Sequence, residues 1–492
     1  MLLPKERDNT LGPFAEHERQ AAFAVLGLSL AVGGALRVWL AFNEDGLYWP
    51  DEIFQTLEPA HRAVYHYGFI AWEFVQGARN WAFPGLLAGF LKLCEAVGLS
   101  SPRGYLLAVR LLMGSVSLGS AYGSALLARR LGATRFSAAV AGACWALVAP
   151  AIYFSTRALS ETASGLPVVF GLALAAPQEA TRQERWLGAA LLGLSVLLRL
   201  QNGVFCAGLL ALYALRGARR SLLVATVVFG LFAVGYGLLD RLTWGDWFHS
   251  ALLYVRFNLI EGKASIRGTA DAAYYARTLF HSMPLPALAL GLFPALAVRR
   301  APGVAWTAWA FLALHSVIPH KELRFILPVL PVLAGLLGVG LDVAGRASAL
   351  SRLSLGGLTL AACALSAARF HSLVFGDLGA YESDLPTQSA YGLAGPLNRL
   401  LLAAHDQPDL CGIVVNALSP AWTGGYTYLH RKVPFYGADR APAFEARHYN
   451  YVISTPQTVP AEGVVAREGP YVLARVMDGP CVSDPSNSWR LP

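Results

Sequence analysis

Asp51 and Glu52 lie side by side in WPDEIFQTLEPAH (49–61), with Trp49 and Pro50 just before them. Two acids flanked by aromatics could bind a sugar and take a proton from a hydroxyl, because transfer to an alcohol needs a base beside that proton. Neighbouring carboxylates can also titrate apart or bind a metal. The same residues suit a helix start, where proline and acids are favoured in the first turn. Both readings can hold together. Glu58, His61, Trp72, Glu73 and Arg79 follow in the same polar stretch.

A second group is His320, Lys321, Glu322 and Arg324 in HKELRF. Three potential cations beside a membrane could hold a phosphate, Arg as a fork and Lys as a point charge. A short loop with snorkelling side chains is the plainer alternative. Arg157 and Glu161 lie in STRALSET (155–162), and Arg199 closes a later apolar run. Ionisable groups at such depth are costly, so they either face a polar cavity or pair with one another. Asp240, Arg241, Asn258 and Lys263 are further candidates for the same cavity. No phosphate-binding P-loop, dinucleotide fingerprint or HExxH motif occurs, so chemistry resting on those devices lacks support.

The elements that must position these residues are mostly membrane spans. The 492 residues are 55% hydrophobic and 14% charged, against roughly 25% charged in soluble proteins. Apolar runs near 21–42, 105–127, 137–154, 162–176, 187–199, 203–216, 221–239, 284–298, 303–318, 325–344 and 353–370 predict eleven crossings. Residues 187–216 could instead form one bent helix. Residues 81–98 contain Pro84, Lys92 and Glu95, and read as a re-entrant or interfacial helix.

Arg clusters at 129–135, 182–185, 216–220, 299–300 and 346–352 then fall on one side, which marks it as cytoplasmic. This accounts for the net charge of +8 better than nucleic-acid binding does. Residues 1–20 form a cytoplasmic N-terminus, read as uncleaved, and 21–370 a membrane domain. Its first outer loop, 43–104, carries the densest chemistry. Positive charge at 320–324 falls on the outer face, against the usual bias, and that exception favours a functional role.

The tail, 371–492, turns polar and rich in Pro and Gly. A helix near 388–405 and strands at 411–418, 449–455 and 471–476 predict a small extracytoplasmic α/β domain. Cys411 and Cys481 could pair there if that face is oxidising. The other four cysteines lie in apolar segments and read as small core residues.

The runs 49–61, YGFIAWEF (67–74) and ARNWAFPG (78–85) resemble the first lumenal loop of the Alg9-like mannosyltransferases. DRLTWGDW (240–247), FNLIEGKAS (257–265) and HKELRFILPVLP (320–331) recur in that family in the same order. The likeness covers about 35–345 and is greatest to the GPI-anchor branch; WTGGYTYLHR (422–431) resembles the family's C-terminal region less clearly. The resemblance implies a GT-C fold, a polyprenyl-phosphate mannose donor, an inverting transfer to a lipid-linked or glycan acceptor hydroxyl, and no tightly bound metal or other cofactor. It implies Asp51 as general base with Glu52 beside it.

His320, Lys321 and Arg324 match the family's HKE(x)RF motif and become candidate donor-phosphate contacts, with Arg157, Glu161, Arg199, Glu73, Arg79 and His61 as further substrate-binding candidates. The outer loops contain no N-x-S/T sequon, Asn487 being followed by Ser488 and Trp489, and the composition is heavy in Arg, Ala, Leu and Gly. Those two features set the expectation of a bacterial inner membrane rather than the endoplasmic reticulum. The competing expectations are a flippase for lipid-linked glycans, which needs no base, and a GT-C enzyme using another sugar.

Overall fold

The computed structural model describes residues 13–381, 385–485 and 489–491, with side chains from residue 18 onward. Most of the proposed cytoplasmic N-terminus, and Asn487 with Ser488, lie outside the described residues. Helix α1 (Pro13–Asn43) leads into a long loop carrying α2 (Glu58–Tyr65), α3 (Trp72–Gln76) and α4 (Ala82–Ala96). Then come α5 (Pro102–Arg130), α6 (Arg135–Leu147), α7 (Ala149–Tyr153), α8 (Ser160–Ala175), α9 (Arg182–Leu198), α10 (Gly203–Leu215) and α11 (Arg219–Trp244). The membrane part closes with α12 (His249–Val255), α13 (Tyr274–Ser282), α14 (Pro284–Ala297), α15 (Pro302–Val317), α16 (Leu330–Ala344) and α17 (Ala349–Ala368).

Helix starts follow local chemistry. The Ser101 side chain accepts from Gly104 N, with Pro102 in the first turn of α5. Thr181 and Glu184 form a reciprocal capping box on α9.

All eleven predicted segments fall on helices: α1, α5, α6, α8–α11 and α14–α17. Five of these, α1, α5, α11, α16 and α17, are long and apolar enough to cross a membrane, and α6, α8, α10 and α14 are shorter apolar helices. The shortfall from eleven full-length spans has a local cause at two breaks. The predicted span 137–154 splits into α6 and α7 at Val148, where Pro150 cannot continue the ladder. The 187–216 stretch is two helices, because Arg199 is extended (φ −153°).

Helix α11 exposes Leu223, Val227, Leu231, Val234, Leu238 and Leu242. That spacing of three and four residues makes one lipid-facing stripe. The chain is a multi-pass membrane protein. Helices α14 and α16 meet backbone to backbone at Gly340, where a Cβ would sit 1.8 Å from the Phe293 carbonyl oxygen; small residues permit such approaches in membrane bundles.

The basic clusters meet at one end of the bundle. Arg130 pairs with Glu184 at 3.0 Å, Arg185 donates to Ser221 at 2.7 Å, and Arg300 and Arg352 both approach Asp342 at 3.9 Å. The inter-helix loops at the other end carry the candidate site. Helix α4, with 15 residues, falls short of crossing length and packs on α2 and α5, in keeping with an interfacial segment.

The tail holds α18 (Gly395–His405), α19 (Gly425–Leu429) and strands β1 (Ile413–Val415), β2 (Phe435–Gly437), β3 (Tyr451–Ser454), β4 (Val464–Glu468) and β5 (Tyr471–Arg475). The sheet order is β2-β1-β3-β5-β4, with β1 parallel to β2 and β3, and β5 antiparallel to β3 and β4. Strands β1, β3 and β5 lie in the predicted stretches. Strands β2 and β4 went unpredicted, and β4 carries a register shift between Val464 and Ala466. Cys411 and Cys481 form a disulfide.

Candidate active site

Pro50, Asp51 and Glu52 do open a helical turn: Ile53 N and Phe54 N donate to the Pro50 carbonyl at 3.1 and 2.9 Å. Successive residues on a helix point about 100° apart, so the two adjacent acids take different surroundings. Asp51 faces a cavity of about 800 Å³ enclosed by the loops of this end and the tail. Glu52 turns into the protein, where it binds Arg157 Nη1 at 3.0 and 3.2 Å and accepts from Tyr48 N at 2.7 Å.

The Asp51 carboxylate accepts from Arg324 Nη2 and keeps 22% of its side chain exposed. Burial pushes this carboxyl up, but the Arg324 guanidinium outweighs it and holds Asp51 below the ordinary carboxylate range. Arg324 is itself gripped by Glu322, with Nε to Oε2 at 2.7 Å and Nη2 to Oε1 at 3.0 Å. Glu161 lies 3.8 Å from Arg324 and 2.6 Å from Arg199. An alternating chain of charges, Arg199–Glu161–Arg324–Asp51, thus runs along the cavity wall. Such pairing is what makes buried charges tolerable at the membrane's edge.

His320 continues the network. Its Nε2 lies 3.2 Å from Glu322 and its Nδ1 3.0 Å from the Gly268 carbonyl. Burial alone lowers its pKa, but acceptors at both ring nitrogens favour the cation and raise it overall. Lys321 Nζ donates to the Ala270 carbonyl at 2.6 Å, and burial lowers its pKa.

Across the cavity, buried Glu73 accepts from Gln55 Nε2 at 2.8 Å. Burial, and then the nearby Asp51 charge, push the Glu73 carboxyl up. Arg79 stands over the Tyr254 ring at 6.0 Å, Arg267 is exposed on the rim, and Arg277 pairs with Asp271 at 3.0 Å. Asp51, Glu73, Arg79, Glu161, Arg199, His320, Lys321 and Arg324 therefore come together in one cavity, as the sequence suggested.

Three of the expected site residues do not. Glu52 and Arg157 form a buried pair outside the cavity wall, and Arg157 also donates to the Gly46 carbonyl at 3.1 Å. They hold the loop that presents Asp51. His61 is fully buried against the tail, with Nε2 2.9 Å from His430 Nδ1. No residue of α2 lines the cavity.

Sequence reasoning quoted Glu322 but gave it no role, and passed over Tyr254, Arg267, Asp271, Tyr274, Arg277 and Trp422, all of which line the cavity. The position of 240–283 between two spans was the available signal for most of them. Trp422 opens the run WTGGYTYLHR that resembles the family's C-terminal region, but only folding of the tail brings it to the cavity. Among the described residues no three His, Cys, Asp or Glu side chains gather as a metal site would require.

A model described as the Alg9-like mannosyltransferase family matches residues 30–379. The chain is 31% identical to GPI mannosyltransferase 3 of Yarrowia lipolytica over 319 residues, 62% of this chain and 60% of that protein. It is 27% identical to Mannosyltransferase APTG1 of Arabidopsis thaliana over 343 residues, 66% and 60% of the two chains. The chain thus spans about three fifths of the length of these curated relatives.

Among solved structures it is similar to ArnT from Cupriavidus metallidurans bound to undecaprenyl phosphate, with TM-score 0.60, 16% identity, and coverage of 92% of this chain and 98% of that one. It is also similar to the Archaeoglobus fulgidus oligosaccharyltransferase tethered with an acceptor peptide, with TM-score 0.54, 13% identity, and coverage of 88% and 69%. These likenesses establish the GT-C fold. The curated relatives named here come from eukaryotes, so the expectation of a bacterial inner membrane is not borne out.

Proposed function

Because the chain belongs to the Alg9-like mannosyltransferase family, we propose that it transfers a mannose from a polyprenyl-phosphate donor to a hydroxyl of a lipid-linked glycan. The observation that carries this reading is Asp51, a carboxylate kept ionised by Arg324 and still open to a large cavity ringed with cations. A general base must be charged before the reaction and must reach the proton it removes. Asp51 meets the first condition through Arg324 and the second through its exposed edge.

Asp51 takes the proton from the acceptor hydroxyl. The acceptor oxygen bonds to the anomeric carbon from the face opposite the phosphate, and the bond from that carbon to the phosphate oxygen breaks. The lipid phosphate leaves with the electron pair, so the anomeric centre inverts. Charge moves in a compensated way. As Asp51 becomes neutral, Arg324 loses one of its carboxylate partners and keeps Glu322, while the leaving phosphate gains negative charge. A guanidinium whose charge is less fully compensated at that moment stabilises the transition state more than the ground state.

In the resting site Arg324 is committed to Asp51 and Glu322, and Lys321 to a carbonyl. Arg79 and Arg267 therefore supply the first attraction for the donor phosphate, and His320 supports it through Glu322. Two observations support placing the site on the outer, lumen-type face. The basic clusters gather at the opposite end, as cytoplasmic ends do. The tail beside the site carries a disulfide, a feature of oxidising compartments.

The test is transfer of radiolabelled mannose from a synthetic short-chain polyprenyl-phosphate mannose to a membrane-lipid extract. Wild type should make a labelled product and Asp51→Asn none. Equal labelling by the two proteins would overturn the assignment of Asp51. No transfer by wild type, with lipid still moved across vesicles, would favour a flippase.

A further inference from the structure

The cavity has two unlike halves. The membrane loops contribute its charged groups, from Asp51 to Arg324. The tail and the segment leading to it contribute Phe375, Tyr381, Ala421, Trp422 and Leu491, none of them charged. Trp422 is half-buried, and its ring meets Trp49 edge-on, 5.0 Å between centroids at 71°. Trp49 stands two residues before Asp51.

The segment carrying Trp422 is firmly held. Thr423 Oγ1 donates to the Pro420 carbonyl at 2.7 Å and Gly424 N to Asn398 Oδ1 at 2.6 Å. Asn398, fully buried, donates in turn to the Asp45 carbonyl at 2.7 Å. Just beyond, Tyr426 N and Thr427 N donate to Glu58 at 3.1 and 2.9 Å. A large aromatic fixed by buried hydrogen bonds, with one side open to a cavity, is a preformed binding surface.

We propose that Trp422, with Trp49, is the acceptor subsite: a platform for the hexose ring that offers its hydroxyl to Asp51. This rests on reading the cavity as a sugar-transfer site. The chemistry matches, because a neutral hexose presents an apolar C–H face to an indole and its hydroxyls to the polar side. The donor's phosphate belongs in the charged half. The tail is then part of the substrate site, and it sets which acceptor glycans fit.

The experiment uses the full chain in detergent, with α-mannobiose as probe, titrated by saturation-transfer NMR beside the labelled-mannose assay. Trp422→Ala should raise the mannobiose Kd at least tenfold, Trp422→Leu should do the same, and Trp422→Phe should change it less than threefold. Binding of a short-chain polyprenyl phosphate should stay unchanged in all three. Mannobiose binding as tight in Trp422→Ala or Trp422→Leu as in wild type overturns the proposal, as does absence of binding to wild type. Sugar binding that depends on Trp422, in a wild type that transfers no label, upholds the platform and overturns the transferase reading.

Discussion

Asp51 and Glu58 stand seven residues apart on one loop, and both are carboxylates taken largely out of water. Their partners differ. Glu58 is fully buried and accepts from Phe69 N, Tyr426 N, Thr427 N and Thr427 Oγ1, at 2.8, 3.1, 2.9 and 2.6 Å. Three of those four donors are backbone groups fixed by the fold, and three of the four come from the tail. Asp51 has one guanidinium partner and an exposed edge. A carboxylate saturated by fixed donors can only hold things together, whereas one with a single cation partner and a free edge can change protonation during a reaction. Glu58 is the clamp between loop and tail, and Asp51 is the group the clamp helps to present.

The contrast breaks most visibly at Asp51. Asp51→Asn should cut kcat by about 10²–10⁴-fold while the thermal unfolding midpoint stays close to wild type; a loss under tenfold would remove the base. Glu58→Ala should do the reverse in kind. Leaving buried donors unpaired costs about 3 kcal/mol, seen as a lower midpoint and faster proteolysis of the tail. Midpoint and proteolysis unchanged from wild type would show that the clamp is dispensable.

The pH profile sharpens the comparison. As the proposed base, Asp51 would act when ionised and it sits below the usual carboxylate range, so kcat should stay level as pH falls and drop only below about pH 4. An acid limb displaced above the ordinary carboxylate range would move the base to Glu73, whose carboxyl is pushed up by burial.

The tail interface has its own pH response. Burial lowers His61 to about 3 and His430 to about 4. Below about pH 6.5 the unfolded chain therefore binds protons that the folded chain excludes. Stability should fall with falling pH by about 1.4 kcal/mol per unit for each such proton, and His61→Phe should flatten the slope seen by thermal unfolding. The smallest effect belongs to the exposed Lys92–Glu95 pair at 2.9 Å. Lys92→Ala should move unfolding by less than about 0.5 kcal/mol, and a larger shift would show α4 to be more than a surface element.

Much of this was legible in the sequence, because the signals are local. Apolar runs place helices by the cost of backbone in lipid. Arg clusters place one end of the bundle, and acids next to aromatics or cations mark a site wherever they fall. Asp51, Glu73, Arg79, Glu161, Arg199 and the 320–324 cluster share the cavity for that reason. What only the tertiary structure decided is direction and partnership. Adjacent acids look equivalent in one dimension, yet the turn of the helix aims Asp51 outward and buries Glu52 against Arg157. His61 joins the tail at His430, 369 residues away, and Trp422 reaches the cavity only once that tail has docked. No periodicity or spacing records such contacts, because they arise from where distant segments meet.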